Sequence, residues 1–381
     1  MAPTPSENSK SLVLDQEAID LDFMARALEF GRRGLGASAP NPSVGALVVR
    51  DDVIVGRGVT APGGRPHGET QALQNAGAAA RGATLYVTLE PCSHHGHTAP
   101  CVDAIIAAGV SRVVCAMQDP DPRVAGNGFA RLRAAGILVD VGIMGAAARR
   151  AHLGHILRVT QARPMVTLKL AQTQDGFAGI SNERLHVTGK IANDFTQMQR
   201  AQHDAVMVGI GTVLADDPML NVRLPGMAAR RPVRVVLDTH LRLPLHSHLA
   251  DTAADIPSLL ICGGQANASA GEALKAKGFE LLRAKTDEAG GIDLDFAMQG
   301  LARRGISRVL CEGGPLLATN LLAASLVDQC LMLTGPAKLN AKDGILALAP
   351  QARQRLEREF TKLRTLQFGD DRCDFYVRQG S

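Results

Sequence analysis

The 381-residue sequence contains no tryptophan and two tyrosines, and aromatic residues make up 3% of it. With so few stacking platforms, capture of single-stranded nucleic acid is disfavoured. A basic block is also missing: 41 Lys and Arg stand against 37 Asp and Glu, and the resulting +4 is dispersed, so no polyanion-binding tail is implied. No apolar run approaches the roughly 18 residues that a membrane span needs, and the longest candidates, 321–327 and 104–110, are short core-helix material. The opening MAPTPSENSKSLVLDQEAID has neither a basic segment followed by an apolar one nor the Arg-rich, acid-poor character of a transit peptide. Seven cysteines, an odd number in a long chain, fit free thiols in a reducing cytoplasm better than a disulfide framework. These absences predict a cytoplasmic protein with neither nucleic acid nor membrane as partner; they leave a homo-oligomer open.

What is present is ordinary globular composition, 46% hydrophobic and 20% charged, enough to bury real cores. At roughly 100–200 residues per domain the length suggests two domains. Residues 1–16 read as a flexible tail. Beyond Ile19, Phe23, Ala27 and Phe30 share a helix face, and the apolar runs 44–49 and 53–59 form a hairpin through Arg50-Asp51-Asp52. A helix over 67–80, a strand at 84–88, a helix over 101–108, a strand at 112–116, a helix over 129–135 and a strand at 138–141 follow. Such alternation predicts helices on both faces of one sheet. A connecting helix over 145–162 ends at Arg163-Pro164, because proline drives the residue before it out of the helical region. The boundary falls there, giving a first domain over 17–162 and a second over 163–381. Strands at 165–170, 205–208, 233–237, 258–262, 307–311 and 329–333, with β-like runs at 361–368 and 374–378, make the second half another α/β domain with no visible likeness to the first.

The most informative residues are His67-Gly68-Glu69, Pro91-Cys92 and Cys101. One imidazole and two thiolates supply three ligands to a tetrahedral Zn²⁺ and leave a fourth position for water, the pattern of a catalytic site. His67 and Cys101 both open expected helices, where unpaired N–H groups favour a thiolate. Glu69 stands close enough to shuttle a proton between a zinc-activated water and a leaving amine without ligating the metal. His-x-Glu followed by Pro-Cys and a second Cys is the signature of hydrolytic deamination. A structural zinc, or buried thiols beside a surface His, would leave Glu69 and Thr88-Leu89-Glu90-Pro91-Cys92 without a role. His94 and His95 are read as shaping the pocket loop. In the second half, Glu312-Gly313-Gly314-Pro315 joins a strand to an apolar helix and could hold an anion at the helix start, but no G-x-G-x-x-G opens any expected βα unit.

TLEPCSHHGHTAPC (88–101), APNPSVGALVV (39–49) and QDPDPRVAGNGFARLRAAGI (118–137) resemble the deaminase half of the bifunctional riboflavin-biosynthesis deaminase/reductases. The eight residues between the cysteines favour that family over the nucleic-acid deaminases, with their shorter gap. RPMVTLKLAQTQDG (163–176), RAQHDAVMVGIGTVLADDPMLNVR (200–223), RPVRVVLD (231–238) and ISRVLCEGGPLLATNLL (306–322) resemble its reductase half. The resemblance covers about residues 20–378. It implies a cytidine-deaminase-like three-layer α/β/α domain followed by a dihydrofolate-reductase-like α/β domain, one Zn²⁺ in the first and NADPH in the second. His67, Cys92 and Cys101 would bind zinc, Glu69 would move protons, and Asn41 and His97 would meet a phosphorylated pyrimidine. Lys169 would stand near the reacting carbon. Arg200, Leu220, Arg223 and Glu312 would face the reductase substrate, and Ala171, His186, Thr212, Asp216, Thr239, Gly313 and Gly314 would line the cofactor. Chemically, the forks of Arg200 and Arg223 suit a ribose phosphate. His97 stands where a Lys or Arg is common, and Arg184, His186 and Asn193 also depart from the pattern. Those departures sustain the alternative of a deaminase, or a zinc-stabilised binding protein, with a decayed reductase.

Overall fold

The computed structural model describes residues 5–94, 99–180, 187–288, 290–340 and 344–380, with backbone alone over 5–15. The chain divides into two compact units, Met1–Gln161 and Ala162–Ser381.

The first unit holds a five-stranded sheet in the order β2-β1-β3-β4-β5: β1 (Gly45–Arg50), β2 (Val53–Val59), β3 (Thr84–Val87), β4 (Arg112–Cys115) and β5 (Leu138–Val141). β1 is antiparallel to β2 and β3, and β3, β4 and β5 run parallel. Two glycines show how helices approach. A Cβ on Gly45 would lie 2.0 Å from the Ala27 carbonyl oxygen of α1 (Pro5–Arg32), and one on Gly58 would lie 2.0 Å from that of Gly68 in α2 (Gly68–Ala76). Gly58 pairs with Ala46, the neighbour of Gly45, so the two contacts are on opposite faces of the sheet and the unit has three layers. Helices α3 (Cys101–Ala108), α4 (Asn127–Ala134), α5 (Gly145–Ala151) and α6 (Leu153–Gln161) complete it. Two expectations change. Residues 5–16, read as a tail, carry helical backbone, consistent with the lack of proline or glycine between Ser6 and Phe30. The single connecting helix is two, parted at His152, whose buried ring reaches Thr88 Oγ1 at 3.1 Å.

The second unit is built on a nine-stranded sheet, β11-β10-β9-β8-β12-β6-β13-β16-β15, comprising β6 (Met165–Gln172), β8 (Ala205–Gly209), β9 (Val233–Leu237), β10 (Ser258–Gly263), β11 (Glu280–Ala284), β12 (Arg308–Cys311), β13 (Gln329–Thr334), β15 (Phe360–Phe368) and β16 (Asp371–Arg378). β7 (Phe177–Ile180) and β14 (Gly344–Leu346) pair as a separate ribbon. From β11 to β13 every pairing is parallel, which aligns all their C-terminal ends. Helices α7 (Lys190–Ala201), α8 (Ile210–Asp216), α9 (His248–Asp251), α10 (Ala268–Ala276), α11 (Leu294–Arg303), α12 (Pro315–Ala323) and α13 (Pro350–Glu359) fill the connections. Two buried carboxylates brace the opposite edge. Asp204 accepts from the Ser307 and Arg308 N–H groups and the Ser307 hydroxyl, at 2.8–2.9 Å. Asp328 accepts from Val166 N–H and takes both arms of Arg163, each at 2.8 Å.

Candidate active sites

In the first unit His67 is the residue preceding α2, with extended backbone, Cys101 is the first residue of α3, and Cys92 lies in the loop after β3. Their ligand atoms all fall within 4.8 Å of one another. His67 Nδ1 is 3.2 Å from Cys101 Sγ and 3.6 Å from Cys92 Sγ, and the Cys101 N–H donates to Cys92 Sγ at 3.3 Å. A tetrahedral Zn²⁺ with N and S bonds of about 2.0–2.3 Å sets its ligand atoms about 3.3–3.8 Å apart, so this donor set fits the ion. The Cys101 thiol hydrogen-bonds to the Cys92 sulfur, with His67 adding to the effect, and together they pull Cys92 down to about 4 against the opposing effect of burial. The same bond, with burial, pushes Cys101 up. A thiolate is thus already favoured beside an imidazole, as cation binding requires. Among the described residues no other His, Cys, Asp and Glu side chains form such a group, and His94 stands outside it.

Glu69, in the first turn of α2, is 3% exposed, and its Oε2 is buried without a hydrogen-bond partner. Burial pushes its carboxyl up, while His67 draws it down. A buried acceptor left open beside a metal-binding cluster is costly unless a ligand completes it. Asn41 Nδ2 donates to the Gly64 carbonyl at 2.9 Å and lies 3.2 Å from His67 Nε2, so Asn41 touches the ring nitrogen remote from the thiols. His97 and His95 lie outside the described residues.

In the second unit the candidate residues gather along the C-terminal ends of the parallel strands, where open α/β sheets bind ligands. Glu312 follows β12 directly and forms a two-armed pair with Arg200 from the end of α7: Arg200 Nε donates to Oε1 at 2.6 Å and Nη2 to Oε2 at 2.9 Å. Arg200 Nη1 donates to the Asn221 carbonyl at 3.0 Å, so its fork is fully engaged by protein. Arg223 is exposed; its Nη1 donates to Asn221 Oδ1 at 2.8 Å and its backbone N–H to Gln197 Oε1 at 2.9 Å, and burial and the charge of Arg200 push its guanidinium down. Lys169, half-buried on β6, is pushed down by burial and held up in part by Glu312. Glu312, which burial alone would push up, is held below the usual carboxylate range by Arg200, Lys169 and Arg223. Leu220 has a left-handed backbone (φ 50°), and its side chain is in the core with Val206, Val208 and Val236.

Thr212 opens α8 next to the β12–α12 turn: a Cβ on Gly314 would lie 3.7 Å from its hydroxyl. Asp216 is exposed one turn further along α8. Ala171, on β6, and Thr239, after β9, are half-buried. Gly313 packs against the Leu317 side chain: a Cβ there would lie 2.7 Å from Leu317 Cδ2, so that side chain would have to shift. His186 and Arg184 lie outside the described residues, and Asn193 is exposed on α7 and donates to the Thr188 carbonyl at 3.3 Å. The sequence reading missed Arg234. Its fully buried guanidinium donates to Ser258 Oγ, Thr252 Oγ1 and the carbonyl of Met219, next to Leu220, and a lone arginine in a strand pattern gives no hint of such a cage.

Residues 18–117 match the cytidine and deoxycytidylate deaminase zinc-binding region, and residues 164–371 match the RibD C-terminal domain. The riboflavin biosynthesis protein RibD of Aquifex aeolicus is 40% identical over 319 residues, 84% of this chain and 87% of its own length. The chain belongs to the RibD family. RibD of Escherichia coli is 39% identical over 334 residues, 84% of this chain and 88% of its own length. A solved RibD from Acinetobacter baumannii superposes with a TM-score of 0.83 at 33% identity, covering 96% of this chain and 100% of that one. As a member of that family, the protein is a bifunctional deaminase and reductase of riboflavin biosynthesis, with a cytidine-deaminase-like first domain and a dihydrofolate-reductase-like second. Family membership across both halves disfavours the decayed-reductase and nucleic-acid-deaminase alternatives. The first half is of a zinc-binding type, the second of a type that uses a nicotinamide cofactor. No helix among the described residues is long and apolar enough to cross a membrane.

Proposed function

We propose that His67, Cys92 and Cys101 hold one Zn²⁺, that Glu69 is the proton shuttle of deamination, and that NADPH binds along the strand ends of the second unit. The observation that carries the deaminase assignment is the unpartnered, buried Glu69 Oε2 beside the converged His67, Cys92 and Cys101. Zn²⁺, when bound, supplies Lewis acidity that makes water nucleophilic near neutral pH. Glu69 Oε2 takes the proton of the attacking water and returns it to the departing amine of a diaminopyrimidinone ribosyl phosphate. Burial pushes its carboxyl up, which makes it a better acceptor for the proton of the water. Asn41 steadies His67 and remains in reach of the pyrimidine.

NADPH, when bound, supplies a hydride to the anomeric carbon of the ribosyl group. Lys169 Nζ, pushed down by burial, delivers a proton to the ring oxygen as the sugar opens to a ribityl chain. Arg223, the accessible guanidinium, receives the substrate phosphate, while Arg200 holds Glu312 and the Asn221 backbone in place. Thr212, Gly313 and Gly314 would hold the cofactor, with Ala171, Asp216 and Thr239 completing the set of residues that would line it.

Purified protein incubated with the diaminopyrimidinone ribosyl phosphate and followed by mass spectrometry tests both halves. Without NADPH, the deaminated ribosyl product accumulates with release of ammonia; with NADPH, it is converted to the ribityl product. Absence of the reduced product from zinc-loaded, folded protein would refute the reductase assignment.

A further inference from the structure

The stretch Thr88-Leu89-Glu90-Pro91-Cys92 contains a carboxylate that deamination does not use. Glu90 is 3% exposed. Its Oε2 accepts the N–H groups of Asp119 (3.2 Å) and Gly126 (2.9 Å), and its Oε1 accepts that of Gly128 (2.9 Å). Its own N–H donates to the Met117 carbonyl at 3.0 Å. The residue two before Cys92 is thereby tied at four points to segment 117–128. Packing there is close: a Cβ on Gly128 would lie 2.3 Å from the Pro91 carbonyl oxygen.

A second tie comes from Arg131 on α4. Its Nη1 donates to the carbonyl of Ser93, the residue after Cys92, at 3.1 Å. Its Nη2 pairs with Asp103, two residues after Cys101. Glu90, two residues before Cys92, thus ties the Cys92 segment to segment 117–128, while Arg131 reaches residues beside both cysteines, Ser93 and Asp103.

We propose that Glu90 and Arg131 are positioning residues of the metal centre. Glu90 sets the approach of Cys92, and Arg131 fixes the separation of the Cys92 and Cys101 segments, so the sulfurs are preorganised for a tetrahedral dication. The inference rests on reading His67, Cys92 and Cys101 as the ligands. A carboxylate that merely anchored segment 117–128 would affect thermal stability and leave the metal environment alone. A positioning carboxylate changes the metal environment in folded protein.

Glu90→Gln is the discriminating substitution, since its NH₂ would face backbone N–H donors where a carboxylate offers only acceptors. Arg131→Met is its companion, at a side chain 43% exposed. The full-length chain and both variants are loaded with Co²⁺, whose visible ligand-field bands report thiolate geometry, and zinc release to a chelator is timed in parallel. Altered bands and zinc release about 10–100-fold faster are expected, the usual effect of removing a group that orients metal ligands. Arg131→Lys should recover only part, because a point charge cannot span both acceptors. Wild-type bands and release rates in both variants would overturn the proposal. If Glu90→Gln does not fold, Arg131→Met decides alone in the same way. A wild-type chain that takes up no Co²⁺ refutes the ligand assignment, and the proposal with it.

Discussion

Replacing Arg200 with methionine removes both arms of its pair with Glu312, at 2.6 and 2.9 Å, and the bond to the Asn221 carbonyl at 3.0 Å. Both side chains are only 10% exposed, so solvent does little to screen the loss. Breaking a buried pair from one side costs about 3–5 kcal/mol, because the remaining charge is left without its partner. Lys169 still attracts Glu312, which favours the lower end, about 3 kcal/mol. For a unit of this size each kcal/mol shifts the melting point by about 2–4 °C, so the second unit should melt about 6–12 °C lower. The chain has no tryptophan, so calorimetry is the suitable assay. Arg200→Met combined with Glu312→Leu should regain most of the loss, since replacing both charges with apolar groups is often near neutral. The dependence on pH has a definite sign. Glu312 titrates below its unfolded value of about 4.3, so its stabilisation is present above that value and fades as pH falls through the lower folded one. The gap between wild type and Arg200→Met should accordingly narrow in acid. A single variant costing under about 1 kcal/mol, or a double variant no more stable than the single, would refute this account of the pair.

Glu69→Gln should keep its zinc and slow ammonia release by about 10²–10⁴-fold, while reduction of supplied deaminated substrate proceeds normally; a wild-type deamination rate removes Glu69 from the mechanism. Cys101→Ala should lose most of its zinc in metal analysis, and full retention with undiminished deamination counts against the ligand set. Lys169→Ala should block reduction and let the deaminated ribosyl product accumulate; loss of ammonia release in folded, zinc-loaded protein would show that the activities do not separate. Arg223→Met should raise KM for the reductase substrate far more than Arg200→Lys does, if Arg223 is the group that meets the phosphate.

The three proposed zinc ligands were legible because each announces itself locally: His67 and Cys101 stand at helix starts and Cys92 follows a strand, and a sequence pattern records all three. The strands of both sheets that are buried on their faces were legible for the same reason. β7, β11 and β14 were not, being short and largely half-buried or exposed. Glu90 appeared in the motif, but its partners are backbone N–H groups at Asp119, Gly126 and Gly128, which no side-chain pattern encodes. The resemblance set Arg200 and Glu312 together as residues that would face the reductase substrate, and the structure pairs them with each other. The engagement of Arg200 with that carboxylate, 112 positions away, depends on α7 and β12 ending together, and only the fold reveals that.

The carboxylates Asp204 and Asp328 brace one edge of the nine-stranded sheet, and the candidate reductase residues occupy the other. Amide hydrogen exchange should therefore run as a gradient along the strands. N–H groups of Val166, Ser307 and Arg308, bonded to buried carboxylates, should exchange only through global unfolding. Turns at Gly313-Gly314 and after β9 should open through local excursions that leave the braced edge intact. Such a division lets the ligand-facing edge breathe to admit and release small molecules without drawing on the cooperative stability of the whole unit.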